Sequence, residues 1–143
     1  MVTADDRALL EAAVAAQQRA HCPFSRYPVG AAVRTVQGAV FSGCNVESAS
    51  FSLTCCAERV AVFKAVSEGH KAIAACAIVT SDGKPAAPCG ACRQVLYEFG
   101  PEMRIVLGNP SGEIRIMNLA DLLPEGFSQE HLLSHSGVAD CCD

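Results

Sequence analysis

The sequence predicts a layered α/β domain in which helices cover a mixed sheet. Three observations carry that reading. Helix-period segments alternate with short strand-like runs, so the sheet must find its cover in the intervening helices. The run Ile73 to Thr80 is apolar, short and closed by Ser81-Asp82-Gly83, which suits a buried central strand. Two pairs of strand-like runs are joined by glycine-containing turns.

Thr3 with Asp6 three residues on forms a capping-box-like start, and Leu9, Leu10, Ala13 and Val14 recur at helical spacing to about Ala20. The two prolines between His21 and Pro28 end that helix. Val29 to Val36 then reads as a strand, Gln37-Gly38 as a turn and Ala39 to Cys44 as the returning strand. After a serine-rich stretch, Ala57, Val60, Ala61, Lys64 and Ala65 mark a second helix over Cys56 to Glu68, with Ser52 or Thr54 as its cap and Gly69 as its stop. The central strand follows. A third helix runs from Cys89 to Phe99 and stops at Gly100-Pro101. Met103 to Leu107 and Glu113 to Met117 pair around Asn109-Pro110-Ser111-Gly112, and a short helix near Leu119 to Leu123 precedes a tail.

At 143 residues the chain suits one domain over 1–143, with a flexible C-terminal tail from about 134. No apolar run approaches the roughly 20 residues that span a bilayer. The acidic N-terminus lacks an export signal, so the expected location is cytoplasmic, with no membrane partner. A formal net charge of -4 is a poor match for a polyanion, which excludes nucleic acid and leaves a small molecule as the expected partner. Nine cysteines, an odd number in a chain without an export signal, read as reduced thiols and metal ligands rather than disulfides.

Pro88-Cys89-Gly90-Ala91-Cys92 places two thiols two residues apart at a helix start. Alone, that spacing serves redox pairs, buried thiols and zinc sites alike. Cys56-Ala57-Glu58 adds a third thiolate, also at a helix start, and catalytic zinc needs three protein ligands and an open position. Three thiolates would leave the ion electron-rich, so the helix N-termini and the Arg59 guanidinium become the expected charge balance. Arg59 reads equally well as a solvated surface charge. Glu58 is the candidate catalytic acid and base; without the cysteines it would read as a partner of the helix dipole.

Phe24 to Ala32, Gly43-Cys44-Asn45-Val46-Glu47, Cys56-Ala57-Glu58-Arg59 and Pro88 to Gln94 together resemble the small homotetrameric zinc-dependent cytidine deaminases, in order, through Leu122-Leu123-Pro124. The resemblance implies a three-layer α/β/α fold with a central mixed five-stranded sheet. It implies one Zn2+ per subunit on Cys56, Cys89 and Cys92, with Glu58 as the proton carrier, as in zinc deaminases generally. It also implies hydrolysis of cytidine and deoxycytidine to uridine and deoxyuridine with release of ammonia, in pyrimidine salvage. Asn45 and Glu47 match the residues that bind the ribose hydroxyls, and Tyr27 an aromatic that packs against the nucleoside. Backbone groups around Ala57 and Cys89 would hold the base. Phe127 matches an aromatic that reaches a neighbouring subunit's site, in a homotetramer with active sites at subunit interfaces.

The chain departs from the pattern at Ser48, usually asparagine, and at Phe51, commonly a tyrosine whose hydroxyl reaches substrate across the interface. Cys55 is also unusual, and either it or Cys44 could supply a fourth thiolate. Two rival readings follow: a deaminase of another cytosine nucleoside such as an antibiotic, and a non-catalytic zinc module whose closed site merely staples two helix starts. Cys22 and Cys76 are expected to act as small hydrophobes, and His21, His70, His131 and His135 as solvated groups.

Overall fold

The computed structural model describes residues 1–134; the tail beyond, with His135, Cys141 and Cys142, lies outside the described residues. Helix α1 spans Ala4–Gln17, three residues shorter than its periodicity suggests. Its capping box forms as expected: the Thr3 hydroxyl accepts from the Asp6 N–H at 3.1 Å, and the Asp6 carboxylate accepts from the Thr3 N–H at 2.8 Å. Strands β1 (Gly30–Thr35) and β2 (Val40–Cys44) make the first hairpin, with Gly38 at φ 93° in its turn. After a single 3-10 turn at Phe51–Leu53 come α2 (Ala57–Ser67), β3 (Ile73–Val79), α3 (Gly90–Phe99), β4 (Arg104–Gly108), β5 (Ile114–Asn118) and α4 (Leu119–Leu122).

The five strands form one mixed sheet in the order β2-β1-β3-β4-β5, with β3 and β4 parallel and the other pairs antiparallel. β3 is central, and it is buried along nearly its whole length. Strand alternation divides the core into two halves. Ala32, Ala75, Ala77, Val79 and Val106 face α1 through Leu9, Leu10 and Ala13. Ala31, Val33, Cys76, Ile78, Ile105 and Leu107 face the other way, toward Ala57, Ala61, Val62 and Ala65 of α2, Leu96 of α3 and Leu119 of α4. The result is the expected three-layer α/β/α arrangement.

Close approach of backbone explains two motif glycines. A Cβ on Gly30 would fall 1.9 Å from the Ala13 carbonyl oxygen, and one on Gly43 would fall 2.7 Å from Ala61 N and 2.8 Å from Ala57 O. The first seats α1 on the sheet and the second seats the start of α2.

Four expectations need correction. Neither Ser52 nor Thr54 caps α2: Cys56 itself is the N-cap, with no side-chain cap bond, because its sulfur is turned to the other cysteines. The segment after α4 is not all tail, since α5 forms at Gln129–Leu133. The histidines are not uniformly solvated. His70 is half-buried against Phe41 with an unpartnered buried Nδ1, whereas His21 and His131 are exposed as expected, His131 with its ring stacked on Phe127 at 5.3 Å. Cys76 is buried as expected, whereas Cys22 is half-exposed beside the chain reversal after α1.

Candidate active site

The site forms where three strand ends meet. Gly30 at the start of β1 lies opposite Cys44 at the end of β2 and Val79 at the end of β3. Val29, Asn45 and Thr80, one residue beyond each, therefore emerge at the same edge of the sheet. The N-termini of α2 and α3 face that edge, and between them opens a pocket of about 450 Å³. Tyr27, Asn45, Glu47, Cys56, Ala57, Glu58, Thr80 and Cys89 line it, with no lysine, arginine or histidine among the described lining residues.

Cys56 is the N-cap of α2 and Cys89 the N-cap of α3, while Cys92 lies in the first turn of α3. Their sulfurs all lie within 4.8 Å of one another. Thiolates on a tetrahedral zinc, at Zn–S of about 2.3 Å, stand about 3.8 Å apart, so small side-chain rotations bring these three onto one ion. The fit is one zinc per chain. Cys44 and Cys55 do not join the cluster; the Cys44 thiol instead donates to the Arg19 carbonyl at 3.4 Å. Among the described residues the thiolate set is thus three, which leaves the open position that catalysis needs.

Charge balance is visible in the geometry. Arg59 Nη2 lies 3.4 Å from the Cys56 sulfur and 3.4 Å from the Thr54 carbonyl. The Cys56 thiol is pulled down to about 5, first by the hydrogen bond from the Cys92 thiol and then, against the cost of burial, by Arg59. Cys92, the donor in that pair, is correspondingly pushed up. Arg59 is therefore not the solvated surface charge that sequence alone left open. Both cysteine-bearing helix starts add their partial positive charge to the same point.

Glu58 is only 5% exposed, and burial raises its carboxyl to about 7. A carboxyl poised there can accept and return a proton near neutrality. Across the pocket, Asn45 (8% exposed) is fixed by two main-chain bonds: its Nδ2 donates to the Tyr27 carbonyl at 2.8 Å, and its Oδ1 accepts from the Val29 N–H at 2.9 Å. Glu47 Oε1 accepts from the Phe24 and Ser25 N–H groups at 3.0 Å each, leaving Oε2 for a ligand. The Ser25 hydroxyl and N–H, with Phe24, hold this carboxyl below its ordinary range.

Phe51 and Phe127 do not line the pocket of their own chain. Phe51 is 73% exposed and meets Phe24 edge to face at 5.6 Å. Phe127 is 54% exposed, with its carbonyl held by Gln94 Nε2 at 2.8 Å.

Other residues at the site carry no short-range signal. Arg93 donates from Nε to the Pro88 carbonyl at 2.7 Å and from Nη1 to the Leu122 carbonyl at 3.0 Å, bracing the turn that presents Cys89. Its place in the Cys-x-x-Cys-Arg run was the one available hint. Thr80 lines the pocket from just beyond β3, and Asp82 in the loop that follows accepts from the Tyr27 hydroxyl; no spacing in the sequence discloses either.

The model of the cytidine and deoxycytidylate deaminase zinc-binding region matches residues 3–109. A cytidine deaminase of Halalkalibacterium halodurans is 43% identical over 129 residues, covering 90% of this chain and 98% of that one. One from Sporosarcina psychrophila is 46% identical over 118 residues, covering 82% and 87%. The crystal structure of cytidine deaminase from Burkholderia pseudomallei superposes with a TM-score of 0.83 at 48% identity, covering 88% of this chain and all of that one. That match spans both zinc-site motifs and the three strand ends around them, and it places the chain in the cytidine and deoxycytidylate deaminase family.

Proposed function

We propose that this protein hydrolyses the 4-amino group of cytidine and deoxycytidine, yielding uridine or deoxyuridine and ammonia. The observation that carries this is the buried Glu58 carboxyl opening into the same pocket as the Cys56 and Cys89 sulfurs. Cys56, Cys89 and Cys92 would hold a zinc ion, which when bound would supply the Lewis acid that makes water nucleophilic near neutral pH. Glu58 manages the protons: it takes one from the attacking water and passes it to N3 of the base, then takes the second from the new hydroxyl on C4 and delivers it to the departing amino group, which leaves as ammonia. Burial of Glu58 suits it to both directions. Asn45 and the free oxygen of Glu47 bind the sugar hydroxyls, Tyr27 walls the ring, and main-chain groups at Ala57 and Cys89 hold the base.

The pocket's lack of basic side chains favours a neutral nucleoside over a polynucleotide. The active form is read as a homotetramer, in which Phe51 and Phe127 meet a neighbouring subunit's site. Exposed Phe24, Phe51 and Leu53 beside the pocket support this, since a contiguous apolar patch marks a contact surface. No described helix is long and apolar enough to cross a membrane. A cytoplasmic role in pyrimidine salvage is the cellular reading.

The test compares ammonia release from cytidine, deoxycytidine, a cytosine nucleoside antibiotic and a short cytosine-containing strand. Turnover of the first two, with the strand inert, supports the reading. Equal activity on the strand, or activity on the antibiotic alone, would overturn it.

A further inference from the structure

We infer that Asp82 is a positioning residue for the pocket: its carboxylate holds the Tyr27 hydroxyl and so fixes the ring that walls the substrate site. The inference rests on the nucleoside reading above.

Tyr27 is restrained at both ends. Its carbonyl accepts from Asn45 Nδ2 at 2.8 Å and its N–H donates to Ser25 Oγ at 3.1 Å, while its hydroxyl donates to Asp82 Oδ2. An exposed aspartate on a loose loop would contribute little, because ordering the loop costs about what the bond supplies. This loop is anchored on both sides of Asp82. On one side, Ser81 Oγ accepts from Gln17 Nε2 and donates to the Pro28 carbonyl, each at 3.4 Å. On the other, the Gly83 carbonyl accepts from Asn109 Nδ2 at 3.0 Å. Asn109 is itself buried and accepts from the Ser111 hydroxyl and the Glu113 N–H at 2.9 Å. The end of α1 and the β4–β5 turn thus present Asp82 to Tyr27 in a set position.

A second observation gives that placement a consequence. Thr80 is 4% exposed, faces the pocket, and its hydroxyl has no hydrogen-bond partner. It lies close enough to the Tyr27 hydroxyl to act on the phenol, although it makes no well-aligned hydrogen bond. A buried hydroxyl without a partner is costly, so Thr80 would gain from a phenol turned toward it. Asp82 holds the phenol in one place; without it, the ring that walls the pocket loses that restraint and is free to turn toward Thr80.

The experiment measures KM and kcat for cytidine with the zinc-loaded wild type, Asp82→Ala, Asp82→Asn, Tyr27→Phe and the double variant Tyr27→Phe/Asp82→Ala, with zinc content and melting temperature for each. Asp82→Ala should raise KM about tenfold with kcat within about twofold, the effect of losing one charge-assisted hydrogen bond. Asp82→Asn, which keeps an acceptor, should recover most of the loss, and Asp82→Ala should add nothing in the Tyr27→Phe background. An unchanged KM, a lowered melting temperature with KM unchanged, or an equal loss without the Tyr27 hydroxyl would each overturn the positioning role. A wild type inert on cytidine refutes the nucleoside reading itself, whereas an active wild type with an unaffected Asp82→Ala refutes this inference alone.

Discussion

Arg59 Nη2 reaches the Cys56 sulfur at 3.4 Å, so a full positive charge sits against one of three converging thiolates. Removing it should leave a more electron-rich site whose bound water is harder to ionise. Arg59→Gln is expected to lose about 10–100-fold in zinc affinity or turnover, the usual effect of deleting a group that orients a metal ligand. Chelator competition and kcat measured together check this; a variant with wild-type values for both would make Arg59 a bystander.

The three-thiolate set separates from the remaining cysteines. Cys92→Ser should abolish stoichiometric zinc, while Cys44→Ser and Cys55→Ser should each retain one zinc per chain and turnover, because neither sulfur belongs to the cluster. Zinc loss in either of the latter would point to a closed, structural site.

Asp6 and Arg104 link α1 to the start of β4 through two hydrogen bonds of 3.0 and 2.9 Å, with Asp6 buried. The Arg104 guanidinium, chiefly, holds the Asp6 carboxyl well below its ordinary 3.8. Because the folded value is depressed, the contribution is present above about 3.8 and is lost as pH falls through the folded value. Asp6→Asn should destabilise the protein by about 1–2 kcal/mol at pH 7, as expected for losing charge-assisted hydrogen bonds to a partly exposed guanidinium. It should also flatten the loss of stability below pH 4. Denaturant titrations across pH give both; a variant whose acid limb matches the wild type would refute the link.

Gly30→Ala places a methyl carbon 1.9 Å from the Ala13 carbonyl oxygen, which a backbone shift alone can relieve. The expected cost is about 3 kcal/mol or more, at the upper end for overpacking. Gly38, whose Cβ would meet nothing, should cost less on mutation to alanine despite its φ of 93°. Thermal unfolding of the two variants decides; equal midpoints would contradict the close-approach account.

Much of this was legible in the sequence where a local rule governs. Thr3 and Asp6 announce a capping box, the continuous apolar run from Ile73 to Thr80 announces the buried central strand, and the Cys-x-x-Cys and Cys-x-Glu spacings announce the metal site. What escaped depends on tertiary neighbours. Cys56 takes the cap that residue preference assigns to Ser52 or Thr54, with its sulfur in the cysteine cluster rather than in a cap bond. Arg93 and Asp82 act through contacts made by separate loops, and α5 carries too few apolar residues to signal a helix by periodicity.

In the proposed reaction, the buried Glu58 carboxyl beside three thiolates moves the protons of a hydrolytic deamination. Glu58→Gln isolates that role, assayed for zinc and for uridine and ammonia formed from cytidine. One zinc per chain, an intact fold and turnover lowered by about 10²–10⁴-fold are expected, the span attributed to a positioned acid–base group. Near wild-type release of uridine and ammonia from that variant, with zinc bound, would contradict it.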